Sequence, residues 1–330
     1  HELGATEALR DLARLVRHRP AGLQLVLASR VDPALPLPRL RLEGHLHELR
    51  ADTLRFTMAD TTALMRASGL DVPEEQLAVL YARADGWVAG LRFAALALRS
   101  SGDPQAFVAQ FSGSERSVAD YLTGEVMASL SAQDEAFLRV GAVCSQLPVD
   151  LAVALSGQPD AGRVLDELTR GTALVQRTGP GAYSIHTLLR THLVTDLERH
   201  FPALHRRSHA TAARWWLAAD DPVHALRHAE LAGEPAHLLE LLRVSGVQLV
   251  ATGRVAAVRR ALHAAGASVA ADPAASLLAA LVHHRAREMP EALAALDRAW
   301  RSMPAEPDAA LEVLLASVEL LVTGRRTPRR

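Results

Sequence analysis

Two pairs of histidines have the spacing that metal-binding helices use. His205 and His209, like His224 and His228, lie four residues apart, so each pair would share one helix face. Neither pair has the H-E-x-x-H pattern, a convergent carboxylate or a cysteine. Because the chain has 15 histidines, such pairs arise readily by chance. We expect no metal site here.

The single cysteine offers a second kind of chemistry. Cys144, His186 and an aspartate could be assembled into a hydrolase triad, but no G-x-S-x-G elbow is present. Cys144 lies in the apolar run 140–147, where a thiol is usually inert. One cysteine also excludes an intrachain disulfide and favours a reducing, cytoplasmic setting. We expect no catalytic residue.

Missing residue types exclude further functions. All 36 basic residues are arginine, so the chain has no lysine for a G-x-x-x-x-G-K-[ST] phosphate loop and cannot hydrolyse ATP by that route alone. The formal net charge of −1 gives no general attraction to DNA, and we interpret the arginine-rich residues 325–330 as a surface loop or linker. The longest stretches without Asp, Glu or Arg, 178–189 and 273–284, are too short to span a membrane.

Residues 1–52 alternate between helical and strand patterns. A helix up to residue 17 precedes the apolar run 23–28, which is typical of a buried parallel strand, and 40–42 form a second strand-like segment. Arg30 would follow the first strand, at the edge of the sheet where α/β proteins bind ligands. The alternative is that Arg30 is a solvated loop arginine.

Residues 53–112 read as helices. Thr57 and Asp60 resemble a capping box, Asp71 is expected to begin a second helix, and Asp85-Gly86 should end it. The segment 86–91 then enters a third helix. From the residues alone, we interpret Gly86 and Gly90 as a helix cap and a small residue at which helices cross. Trp87 would be an aromatic anchor in the core or at its rim.

The remaining chain changes pattern twice. Several helices precede a hairpin over 174–185 that His186 closes, and a final helix over 187–199 completes the elements of a winged helix. The hairpin carries a single arginine, which provides little positive charge for binding the phosphate backbone of a nucleic acid. From residue 201 short alanine-rich helices follow, and 226–233 can be laid on 259–266 at an offset of 33 residues, which predicts tetratricopeptide-like repeats.

Five short motifs occur in an order that resembles a known family. They are His1-Glu2-Leu3, Leu25-Val26-Leu27-Ala28-Ser29-Arg30, Glu48 to Thr57, Gly86-Trp87-Val88-Ala89-Gly90-Leu91, and Tyr183-Ser184-Ile185-His186-Thr187-Leu188-Leu189-Arg190. This order is similar to that of large ATP-dependent LuxR-type transcriptional regulators, the MalT-like members of the STAND class of signalling ATPases.

The resemblance implies a mostly α architecture in four parts. Residues 1–52 would be the C-terminal remnant of a P-loop α/β ATPase core, 53–112 a helical lid, 113–200 a winged-helix domain and 201–330 a repeat region that acts as sensor. The Walker A and Mg-binding residues would lie upstream of residue 1, and a DNA-binding helix-turn-helix beyond residue 330. The chain would therefore be a fragment.

The resemblance also implies a nucleotide site. Arg30 matches a sensor position near the γ-phosphate, His186 matches a histidine that touches the β-phosphate of ADP, and Gly86, Trp87 and Gly90 lie in the lid segment near the adenine. The proline that related proteins carry in that lid segment is absent. ATP or ADP, with Mg in the intact parent, would be the cofactor.

The function implied is a nucleotide-switched, inducer-responsive transcriptional regulator of the bacterial cytoplasm. Its partners would be a small-molecule or protein inducer on the repeats, DNA and RNA polymerase through the C-terminal domain, and further copies of itself, with no membrane. The parent would be a slow ATPase used as a switch, and this segment alone would not be catalytic. The alternative is a helical-repeat scaffold or a STAND sensor without DNA binding.

Overall fold

The computed structural model describes residues 6–18, 20, 22–29, 32–33, 35–50, 53–112, 115–171 and 174–324. The chain divides into two compact units, residues 1–200 and 201–330. The four-part division made from sequence places a boundary at the same point, and its other boundaries stay predictions.

The first unit is mostly helical. Its elements are α1 Thr6–Arg17, α2 Leu37–Leu42, α3 Met58–Ala67, α4 Glu74–Ala84, α5 Val88–Ser100, α6 Pro104–Gln110, α7 Arg116–Tyr121, a π-helical turn Leu122–Val126, a 3₁₀ turn Met127–Ser129, α8 Ala132–Gly141, β1 Leu147–Pro148, α9 Val149–Ser156, α10 Ala161–Gly171, β2 Val175–Gly179, β3 Ala182–Ile185 and α11 Thr187–His200.

The two strands expected near the start of the chain do not form. Residues 23–28 have no strand pairing, and Val26 is 87% exposed. A parallel strand needs neighbours for its backbone N–H and C=O groups, and no strand of the described residues lies beside this segment. Residues 40–42 belong to helix α2, whose first turn contains Pro38, a residue whose fixed φ suits the start of a helix.

The helices of residues 53–112 begin and end largely where the residues predict. The capping box is confirmed: the Thr57 hydroxyl accepts from Asp60 N, and Thr57 N donates to the Asp60 carboxylate. Helix α4 starts at Glu74 rather than at Asp71, because a residue that precedes a proline disfavours the helical region and Pro73 therefore limits the helix. Asp85 ends α4 in the left-handed conformation, as the Asp-Gly pair predicts.

The winged-helix elements are present. The sheet has the order β1-β3-β2 with both pairings antiparallel, and Leu147 lies opposite Tyr183 while Val175 lies opposite Ile185. Tyr183 and Ile185 are buried on one face, and the Tyr183 hydroxyl donates to Asp166 of α10 at 2.6 Å. The sheet is thereby held against the helices on that face.

The second unit consists of helices. They are α12 Pro202–Ala218, α13 Pro222–Ala232, α14 Pro235–Ala251, α15 Val255–Ala265, α16 Ser268–Ala271, α17 Pro273–Arg285, α18 Met289–Ser302 and α19 Ala309–Thr323. The first two hairpins begin 33 residues apart, at Pro202 and Pro235, which agrees with the offset found in the sequence. The short helix α16 then interrupts the repeat before α17.

Small and large apolar residues interlock in the second unit's core. A Cβ atom on Gly246 of α14 would lie 2.3 Å from Leu278 Cδ2 of α17, so this glycine allows the two helices to approach closely. Leu278 and Leu242 are 2% and 1% exposed. Among the described helices, none combines the length and apolarity needed to cross a membrane.

Candidate functional site

Residues singled out from three separate segments meet in the first unit. The end of α4, the turn after it and the start of α5 contribute Ala84 to Gly90. The junction of β3 and α11 contributes His186 and Leu188, and the chain before α3 contributes Arg55 and Phe56. We call this cluster the His186 junction. It includes four of the five residues that the resemblance implies for the nucleotide site, and the fifth, Arg30, lies outside the described residues.

His186 connects helix α4 to helix α11. Its Nε2 lies 2.9 Å from the carbonyl oxygen of Ala84, and the Leu188 N–H donates to its Nδ1 at 3.2 Å. Because Nδ1 accepts, Nε2 carries the proton and donates to Ala84 O, so the ring is the neutral Nε2–H tautomer. Both ring nitrogens therefore have partners.

The surroundings of His186 favour its neutral form. The side chain is 4% exposed, and this burial lowers its pKa below the usual value, opposed in part by the hydrogen bond to Ala84 O. Asp85 also favours the protonated form, while Arg55 disfavours it. At neutral pH the imidazole acts as a hydrogen-bond connector and carries no charge.

The turn after α4 is attached to the chain before α3. Gly86 has φ +69°, and a Cβ atom there would lie 2.6 Å from the carbonyl oxygen of Phe56. Phe56 N donates to Gly86 O at 3.0 Å, while Arg55 Nη1 donates to Asp85 O at 3.0 Å and pairs with the Asp85 carboxylate. Only glycine fits this position without strain.

Trp87 and Gly90 fill the space between the turn and α11. The Trp87 ring lies 5.8 Å from the His186 ring, and a Cβ atom on Gly90 would lie 2.6 Å from Trp87 Cε3 and 2.9 Å from Leu188 Cδ1. These contacts match the interpretation made from the residues alone, in which Gly90 is a crossing point and Trp87 an aromatic anchor. The nucleotide roles of Gly86, Trp87 and Gly90 stay predictions.

Sequence reasoning gave no role to Arg55, Ala84 or Leu188. Arg55 and Leu188 lie inside motifs that carry the resemblance, while Ala84 acts only through its carbonyl, which any residue would provide. A contact made through a backbone carbonyl cannot be predicted from the pattern of residue types.

The two histidine pairs meet each other in the second unit. Nδ1 of His209 lies 2.8 Å from Nδ1 of His228, and His224 pairs with Asp221 at 2.7 Å and stacks on Trp216. Over the part of the chain that the structure describes, no three His, Cys, Asp or Glu side chains are grouped to hold a metal ion. The i, i+4 spacing here builds a packed helix pair.

Cys144 is 1% exposed, and burial raises the pKa of its thiol to about 12. A thiol of this kind is protonated at neutral pH and is a poor nucleophile.

The single arginine of the hairpin contacts an aromatic ring. The Arg177 guanidinium lies 5.7 Å from the centre of the Tyr183 ring.

Comparison with known proteins gives a consistent set of relatives. A family model for the MalT winged helix domain matches residues 123–205. The chain is 28% identical over 310 residues to the HTH-type transcriptional regulator MalT of Serratia proteamaculans, covering 90% of this chain and 34% of the relative. It is 30% identical over 253 residues to MalT of Yersinia pestis, covering 73% of this chain and 28% of the relative.

Two further relatives differ in their named activity. The serine/threonine-protein kinase PknK of Mycobacterium tuberculosis is 33% identical over 228 residues, which is 67% of this chain and 20% of the kinase. A Signal Transduction ATPase with Numerous Domains (STAND) protein with a tetratricopeptide repeat sensor, from Pyrococcus horikoshii, shares the fold at TM-score 0.51 and 14% identity, over 81% of this chain and 38% of that chain.

The chain spans only a fifth to about a third of the length of these curated relatives. The match to the winged helix model includes His186, and the match to the Serratia regulator extends over 90% of this chain. The chain is therefore MalT-like, and its residues 123–205 match the MalT winged helix domain.

Proposed function

We propose that this chain is the signal-transducing middle portion of a nucleotide-switched, inducer-responsive transcriptional regulator of the cytoplasm. The observation that carries the proposal is His186, a buried residue of the winged-helix part whose ring hydrogen-bonds to the end of a lid helix. The likeness to the MalT regulators supports the transcriptional role.

An adenine nucleotide would supply phosphate oxygens that accept hydrogen bonds from more than one domain at once. Of the residues that would hold it, His186 has one ring N–H, and that N–H now donates to Ala84 O. For His186 to donate to a phosphate oxygen, it must leave the Ala84 carbonyl. The residues fit a switch in which two acceptors, one from the lid and one from the nucleotide, compete for a single donor.

The consequence is a coupling between nucleotide state and the lid. When His186 donates to Ala84 O, the end of α4 is tied to the start of α11; when it turns away, the α4–α5 turn loses that bond and keeps its contacts to Arg55 and Phe56. An inducer on the repeats and self-association of active copies would shift the same equilibrium.

The test uses the product of the complete reading frame. We expect it to retain ADP after purification, and His186→Ala to weaken ADP binding by about tenfold or more, measured by titration with a fluorescent ADP analogue. His200→Ala is the matched control, because His200 is an exposed histidine at the C-terminal end of α11, the helix that follows His186. Unchanged ADP affinity in a folded His186→Ala protein, or a wild-type protein that binds no nucleotide, contradicts the proposal.

The kinase relative favours a second candidate. The match to PknK covers two thirds of this chain, yet PknK is a serine/threonine-protein kinase by name and not a transcriptional regulator. The same segment could therefore serve as a STAND sensor or interaction scaffold joined to another output domain. A complete gene product that binds ADP but retards no fragment of its own upstream DNA in a gel-shift assay would support this candidate over the first.

A further inference from the structure

A cavity in the second unit lies where the helical repeat is interrupted. Residues of helices α15, α16, α17 and α18 line an open cavity of about 390 Å³ at the surface of the unit. The four-residue helix α16, which interrupts the repeat, contributes Val269 and Ala270 to the wall of the cavity. A volume of this size accommodates a small organic molecule.

The floor of the cavity is apolar and rigidly held. Leu262 of α15 and Val282 of α17 are 8% and 1% exposed, and Ala279 of α17 is 6% exposed. These side chains belong to the main core of the unit. They provide an apolar surface for hydrocarbon.

The rim of the cavity is basic. Arg259, His263, His283 and Arg298 line it, and none of its lining residues among those described is acidic. Glu288, outside the lining, binds both Arg259, at 3.1 and 3.2 Å, and His283, at 2.7 Å. That carboxylate compensates one positive charge.

Two basic side chains stay uncompensated. Neither the guanidinium of Arg298 nor the imidazole of His263 has a hydrogen-bond or ion-pair partner among the described residues, although other arginines of the unit, such as Arg243 and Arg301, are paired. An arginine that lines an apolar cavity with no carboxylate partner is a ready site for an anion.

We propose that this cavity binds a small organic anion with an apolar body. The acid group lies at Arg298, with His263 near it on the rim, and the hydrocarbon part lies on Leu262, Val269 and Val282. This inference rests on the part of the proposed function in which the repeat region is the sensor, and it names the class of ligand that the sensor binds. Binding itself requires no nucleotide and no DNA.

Three compounds with one carbon skeleton test the charge requirement. We expect 4-phenylbutyrate to bind the 330-residue chain saturably in calorimetric titration at pH 7.5, and 4-phenylbutanol and 4-phenylbutylamine to bind at least tenfold more weakly. Equal binding of all three compounds, or binding of none, overturns the proposal.

Three variants test the location. Arg298→Gln is expected to weaken 4-phenylbutyrate binding by about tenfold. Arg285→Gln is the matched control: Arg285 is an exposed arginine of α17 outside the cavity and should leave affinity unchanged. Ala270→Phe places a ring at the exposed wall of α16 and should abolish binding without changing the rim charge.

The outcomes separate this inference from the nucleotide proposal. Phenylbutyrate binding that persists in Arg298→Gln and in Ala270→Phe, with thermal unfolding of both variants as in the wild type, overturns the cavity assignment and leaves the role of His186 untouched. Loss of ADP binding in His186→Ala leaves phenylbutyrate affinity unchanged if the two sites are independent.

Discussion

Single residues in this protein show how burial changes the chemistry of a side chain. His209 and His228 are 2% and 5% exposed and share a hydrogen bond between their Nδ1 atoms. Burial, together with neighbouring His and Arg groups, lowers the pKa of His209 to about 3 and that of His228 to about 4. Although i, i+4 spacing is also that of metal-binding pairs, these two histidines are neutral core residues.

Acid should therefore destabilise the second unit. In the unfolded chain each histidine takes up a proton near pH 6.5, while in the folded chain it stays neutral until the pH falls to about 4 or 3. The unfolded state thus binds more protons across this window, so stability is lost as the pH falls from about 6.5 to 4. We expect a cost of about 2 kcal/mol per histidine at pH 5, visible as a lower midpoint in urea unfolding.

The control for this prediction is His237→Gln, which changes a histidine elsewhere in the unit and should keep the acid sensitivity. A double variant, His209→Gln with His228→Gln, should show a flatter profile between pH 7 and 5. A wild-type protein equally stable at pH 7 and pH 5 would contradict the assignment of two neutral histidines.

At the scale of elements, the turn between α4 and α5 determines how the lid helices meet. Gly86 and Gly69 both have positive φ, at +69° and +76°, and both follow the end of a helix. They differ in their surroundings: a Cβ atom on Gly69 would meet no atom within 4 Å, whereas one on Gly86 would lie 2.6 Å from Phe56 O. Comparing substitutions at Gly69 and Gly86 therefore distinguishes the cost of backbone strain from the cost of a steric clash.

We expect Gly69→Ala to reduce the free energy of unfolding by about 1 kcal/mol, the cost of a left-handed alanine. Gly86→Ala should cost about 3 kcal/mol or more, because the methyl group also pushes away the backbone of Phe56. Chemical denaturation of the two variants measures the difference. Equal losses would mean that the contact between Gly86 and Phe56 does not limit the turn.

At the scale of the whole molecule, each of the two compact units has its own buried residues. The core of the second unit draws on all its long helices, and it includes Leu226, Val258, Leu278 and Val318. A unit with a continuous core and its own helix caps satisfies the requirements of an independent folding domain.

Residues 201–324 alone should therefore fold, with a helical circular dichroism spectrum and one cooperative thermal transition. Leu278→Asp should abolish that transition, because Leu278 is 2% exposed, while Leu320→Asp should preserve it, because Leu320 is 58% exposed. A segment without a cooperative transition, or one equally sensitive to both substitutions, would contradict the independence of this unit.

Much of the fold could be read from local signals. The Thr57–Asp60 capping box, the stop at Asp85, the hairpin ending at Ile185 and the 33-residue spacing of the first repeats all depend on neighbouring residues. The strand predicted at 23–28 failed because a strand is stable only beside partners, and pairing is a property of distant segments.

The sequence by itself determined the helical character, the wing, the repeat and the absence of a lysine-bearing phosphate loop, since residue types and short spacings suffice for these. Only the tertiary structure decided that His186 donates to the Ala84 carbonyl, that His209 meets His228, and that Arg298 stands without a carboxylate beside an apolar cavity. Those facts join residues tens of positions apart, and backbone groups and empty space leave no trace in residue patterns.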